Sequence, residues 1–195
     1  MVFARIAGGL VALLLMMSMT AVVAKDVLPF RQGAPVQLSP FSTLVLRGGG
    51  EVSIRPSTAW SATVVQGGDL VAMYTDDGDL LIECKRPCRS NARRVIEVRV
   101  PSTPNLRIEN GGVINVAAGF PAQTSLTAAV TAGGTINASE LDATDVSATV
   151  RGGGNINITA TTTLRANVLG NGTITYGGSP RVQQDITGRG QVRPR

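Results

Sequence analysis

Residues 133–157 read GGTINASELDATDVSATVRGGGNIN, and the glycine phrase at either end of this stretch recurs along the second half of the chain: GGVIN from Gly111, GGTIN from Gly133, GGNIN from Gly153, GNGTIT from Gly170 and GRGQV from Gly188. The last glycines of the phrases, Gly112, Gly134, Gly154, Gly172 and Gly190, are spaced 22, 20, 18 and 18 residues apart, which is the signature of an internal structural repeat. Two apolar series keep the same register. Leu126, Val146, Leu164 and Val182 step by 20, 18 and 18, as do Val130, Val150, Val168 and Ile186, and a β-branched residue follows each turn at Ile136, Ile156, Ile174 and Val192.

Alternation such as Leu126, Ala128, Val130 is the period-2 pattern of a strand with one buried face, and no helical stripe competes with it. Stacking one repeat on the next puts equivalent residues about 4.8 Å apart, so each apolar position becomes an inward column. Gly112, Gly134, Gly154, Gly172 and Gly190 are then corner residues, where a backbone with φ > 0 is expected. Length varies between each Ile and the next Leu or Val, so one corner is expected to carry the loops. The expected fold is all-β, a β-solenoid with coils of about 18–22 residues and a less regular first half.

That first half begins with a lead-in, residues 25–40. From Phe41 the segment Leu44, Leu46, Gly48 to Gly50, Val52, Ile54 repeats the strand, glycine corner and strand seen later, while Trp60 to Ala72 reads as a looser version of it. The run YTDDGD, residues 74–79, is a turn signal. A single domain over residues 41–195 is expected.

The opening MVFAR, the apolar run to Val23 and the small residues Val22 and Ala24 before Lys25 read as a secretory signal, residues 1–24, with cleavage expected between Ala24 and Lys25; the alternative reading is an uncleaved membrane anchor, since Ile6 to Ala24 gives 19 mostly apolar residues. The mature chain then carries 17 Lys and Arg against 13 Asp and Glu, once Arg5 is omitted from the total of 18, a net charge of +4. No membrane span is expected after cleavage. Export implies that Cys84 and Cys88, in ECKRPCR, pair as a small disulfide loop. The location implied is periplasmic or secreted, in the cell envelope.

Histidine is absent from the sequence, which excludes His-based triads, proton shuttles and imidazole metal sites. Carboxylate chemistry on a sugar polymer would need converging acids; Asp76, Asp77 and Asp79 read as one turn, and Asp142 with Asp145 as another corner. No catalytic residue, metal site or cofactor is expected. Few aromatics argue against base stacking, so nucleic acid is not an expected partner. Two binding surfaces are candidates: the basic loop with Arg86, Arg89, Arg93 and Arg94, taken as solvated charges, and an outward polar strip containing Asn115, Asn137, Asn157 and Thr175. The partner would be an envelope glycan or another envelope protein.

GGVIN, GGTIN and GGNIN, followed by LGNGTITYGGSPRVQQDITGRGQV, resemble the bacterial head GIN domain family of autotransporter adhesin heads. VIEVRVP before NLRIENGG adds to the resemblance, which covers about Phe41 to Val192. It implies an exported right-handed parallel β-helix with a non-catalytic, adhesin-like role. No translocator barrel is expected after Arg195. The competing function is a carbohydrate-active enzyme, a lyase or hydrolase, on the same scaffold.

Overall fold

A computed structural model describes residues 26–85 and 93–195. The expected signal segment with Ala24 and Lys25, and Arg86, Cys88 and Arg89, lie outside the described residues. The elements are β1 (Asp26–Val27), β2 (Pro35–Gln37), β3 (Thr43–Arg47), β4 (Glu51–Pro56), β5 (Ser61–Gln66), β6 (Val71–Asp76), β7 (Asp79–Cys84) and β8 (Val95–Val100) in the first half. The second half holds β9 (Asn105–Glu109), β10 (Val113–Val116), β11 (Gln123–Thr131), β12 (Thr135–Gly152), β13 (Asn155–Gly170), β14 (Thr173–Gly177), β15 (Arg181–Gly188) and β16 (Gln191–Pro194). A single 3-10 turn, Gly68–Leu70, lies between β5 and β6. Among the described residues no helix is long and apolar enough to cross a membrane.

All sixteen strands among the described residues join one mixed sheet. This corrects the expected right-handed parallel β-helix solenoid in two ways. Four pairings are antiparallel: β1 with β6, β2 with β5, β5 with β8 and β6 with β7. Chain order is also not spatial order. β3 lies between β7 and β9, and β4 between β8 and β10, so the chain lays down β3 and β4, turns back to build β5 to β8 on one side of them, and then crosses to the other. Period-2 alternation fixes which face of a strand is buried but not which neighbour it takes or in which direction, so the pattern was compatible with both arrangements.

The repeats of the second half do pair in parallel. Ile114, Ile136, Ile156, Ile174 and Val192 stand opposite one another in turn, as do Leu126, Val146, Leu164 and Val182. Ile114, Ile136, Ile156 and Ile174 have no exposed surface, and they belong to one apolar cluster reaching from Leu38 to Ile174. β12 and β13 are long because each bends through a corner without breaking, and the register between them shifts from Ala138 to Asp142 and again from Ala143 to Asp145. The length variation seen in the sequence is absorbed there.

The glycine corners are held by backbone bonds along the stack: Thr135 N donates to Gly112 O, Asn155 N to Gly134 O and Thr173 N to Gly154 O, at 2.8–2.9 Å. The expectation of φ > 0 holds at Gly112 (110°) and Gly134 (112°). At Gly154 the requirement is space instead, since an added Cβ would sit 2.6 Å from Val130 Cγ1.

In the first half, the YTDDGD signal is a two-residue hairpin turn between β6 and β7, with Asp77 (φ 47°) and Gly78 (φ 79°) both left-handed as a type I′ turn requires. The lead-in supplies β1 and β2, both short edge strands. Trp60 packs edge-on against Phe41, ring centroids 4.8 Å apart, over that end of the core.

Candidate functional site

Asn115, Asn137, Asn157 and Thr175 fall on β10, β12, β13 and β14 at consecutive register positions, so the structure brings them into one column. They alternate with buried isoleucines and therefore face outward, although each is half-buried by its neighbours rather than fully exposed. Asn115 Nδ2 donates to Glu51 Oε1 at 3.3 Å. The column presents three amides and one hydroxyl in register, an amide wall.

The basic loop is not a single cluster of solvated charges. Arg93 is exposed, but Arg94 is buried, with 5% of its surface accessible. Its Nη2 donates to Gly48 O at 2.7 Å, its Nη1 to Cys84 Sγ at 3.2 Å, and its own carbonyl accepts from Glu51 N at 2.8 Å. Arg94 therefore acts as a strut over the Gly48–Gly50 corner, where Gly49 leaves room for its guanidinium: a Cβ there would lie 3.0 Å from Nη2. The solvated reading of Arg94 is corrected on this ground. Beside it, Arg47, Tyr74, Glu83 and Lys85 line a cleft of about 590 Å³. Desolvation, joined by a hydrogen bond to Glu83 and that residue's negative charge, raises the Tyr74 hydroxyl above its ordinary pKa.

Sequence reasoning passed over the opposite outward face, on β11, β12, β13 and β15. Ser125, Asp145, Thr163 and Arg181 form one outward column in register, and Thr127, Ser147, Arg165 and Gln183 form the next. Most of these side chains line an open groove of about 370 Å³, which a smaller one of about 180 Å³ between Arg165 and Arg181 continues. Thr163 Oγ1 donates to Asp145 Oδ1, fixing both. The signal was available: each of these residues alternates with an inward Leu or Val of the ladder.

Carboxylates do not converge in this groove, where Asp145 alone of the lining residues is acidic. Asp76, Asp77 and Asp79 sit at the β6–β7 turn instead. Among the described residues no group of three or more His, Cys, Asp or Glu is placed to hold a metal ion.

Residues 122–180 match the family model described as "Putative auto-transporter adhesin, head GIN domain". Similar solved structures include a "putative adhesin" from Bacteroides fragilis (20% identity, 83% of this chain and 95% of that one, TM-score 0.45). A second "putative adhesin", from Parabacteroides merdae, has 16% identity over 83% of this chain and 94% of that one, with a TM-score of 0.44. A "putative cell adhesion protein" from Clostridium sporogenes has 10% identity, 83% and 98% coverage and a TM-score of 0.37. No curated protein matches the chain in sequence.

Proposed function

We propose, from the likeness of residues 122–180 to an adhesin head family, that the chain is an exported, non-catalytic binding head of the cell envelope whose ligand is a glycan. The observation that carries this reading is the outward surface of the repeats. Strand after strand presents small hydroxyl and amide side chains in register, a surface that offers many hydrogen bonds to sugar hydroxyls and encloses no reaction chamber. A glycosidase of the usual kind needs two carboxyl groups facing one scissile bond, and the groove over β11, β12, β13 and β15 supplies one acid, Asp145.

Export is supported by the pattern of residues 1–24. Mass spectrometry of protein recovered from the envelope or medium should find Lys25 at the N-terminus and a mass two hydrogens below that of the reduced chain, from a Cys84–Cys88 bond. A chain retaining Met1 in the membrane fraction would refute cleavage, and two free thiols would refute the pairing.

A glycan array probed with residues 25–195 tests the ligand class. Discrete sugar ligands support the reading; a blank array, together with capture of the domain by another envelope protein, would replace the glycan with a protein partner. Asn137→Ala with Asn157→Ala should weaken binding by about thirtyfold if it occurs at the amide wall, because each hydrogen bond to a solvated sugar contributes about 1 kcal/mol. Raising salt should leave that binding nearly unchanged, since neutral hydrogen bonds are not screened.

A further inference from the structure

The arginines of the outward surface divide into two groups. Four toward the first half of the chain are neutralised: Arg47 pairs with Glu109 at 2.7 Å, Arg55 and Arg99 both pair with Glu97 at 3.0 and 2.7 Å, and Arg107 lies 4.0 Å from Glu109. Arg165 and Arg181 form no ion pair with any described carboxylate, although both are exposed and share one groove. They lie on adjacent strands, one outward column apart, because Arg165 stands opposite Gln183 and Arg181 opposite Thr163. Two acids lie nearby: Asp145, engaged by the Thr163 hydroxyl, and Asp185, which stands opposite Asn167 in the next outward column and forms no ion pair with a described arginine. Beyond Asp145 the same groove runs over Ser147, Thr127 and Ser125, hydroxyls without charge.

We infer that this groove binds a segment of an acidic polysaccharide, with Arg165 and Arg181 taking the carboxylate of one uronic acid unit and the Ser and Thr hydroxyls taking those of its neighbours. The inference rests on the glycan-binding reading above and names the site and sugar class within it. Two guanidinium groups facing one groove can bind a carboxylate through parallel N–H···O bonds, an arrangement a diffuse positive field does not supply. Four strands at ~4.8 Å spacing give the groove a length of about 14 Å, more than one sugar ring occupies, so the chemistry fits a polymer segment rather than a lone anion.

The test is calorimetric titration of residues 25–195 with oligogalacturonate and with its methyl ester, which keeps the backbone and removes the charge. The wild-type domain should bind the acid and bind the ester about tenfold more weakly or worse. Arg165→Ala with Arg181→Ala should weaken acid binding by at least tenfold, with an unchanged urea midpoint because both side chains are exposed. Arg55→Ala with Arg99→Ala removes the same formal charge elsewhere and should change affinity less than about twofold. Equal losses in the two double variants would show general attraction to a basic surface and overturn the site. Equal affinity for acid and ester, or no affinity for the acid, would also overturn it. If array binding to other glycans survives Arg165→Ala with Arg181→Ala, the binding-head reading stands while this inference falls; a domain that binds no glycan at all takes both down.

Discussion

Ile156→Ala should lower the unfolding free energy by about 2–5 kcal/mol, the range for deleting a fully buried Ile side chain where the cavity cannot collapse. Ile156 has no exposed surface and stands between Ile136 on one strand and Ile174 on the next, both equally buried. Collapse would require a strand to move toward the core, and that movement would break parallel backbone bonds on both sides of β13. Asn157→Ala, one residue along and facing outward, should cost less than about 1 kcal/mol. Urea melts of the two variants measure the difference; equal costs would mean that the inward and outward faces have been misassigned.

Gly134→Ala should be comparably damaging for a different reason. The φ of Gly134 is 112°, where an L side chain is strained, and its new Cβ would lie 2.8 Å from Ile108 Cγ2 and 2.9 Å from Gly112 O. Overpacking of this kind costs about 1–3 kcal/mol, and the left-handed backbone adds roughly 1–2 more. Gly153, in the next corner, has nothing within 4 Å of a Cβ and no positive φ. Gly153→Ala should therefore be neutral or slightly stabilising, by up to about 1 kcal/mol, through a stiffer unfolded chain. If the two substitutions shift the thermal midpoint equally, the corner geometry described above is wrong.

The contrast between these corners marks the limit of sequence reading. The period announced that Gly134 and Gly154 are equivalent and that Ile136, Ile156 and Ile174 share a column, because register between identical repeats is written in spacing alone. Which glycine needs φ > 0 and which needs only room depends on local backbone details the phrase GG does not carry. The first half was less legible. Leu80 and Ile82 alternate as any strand would, and nothing in that alternation says that β7 docks beside β3, laid down more than thirty residues earlier. Arg94 shows the same effect for charge. In sequence it belongs to a basic run; in space it meets the carbonyl of Gly48, and only tertiary structure could reveal that contact. Arg165 and Arg181 were legible as outward-facing and were passed over because they are scattered along the chain, although the fold sets them side by side.

The displaced order of the first strands bears on how the molecule is made. β3 and β4, flanked on both sides, and β7 of the β6–β7 hairpin have all their strand partners once residues up to about 116 have been supplied. From there each added repeat meets a finished edge and copies its register, so growth proceeds in one direction and needs only chain already in place. Synthesis from the N-terminus would present the parts in that order. Among the described residues β15 pairs with β13 alone and β16 with β14 alone, and Ile186 is 38% exposed. Native-state hydrogen exchange should therefore show a gradient, with amides of β3 and β4 protected to the level of global unfolding and those of β15 and β16 exchanging well before those of β12 and β13. A uniform profile would mean that the sheet closes as a single cooperative unit instead of growing from a seed.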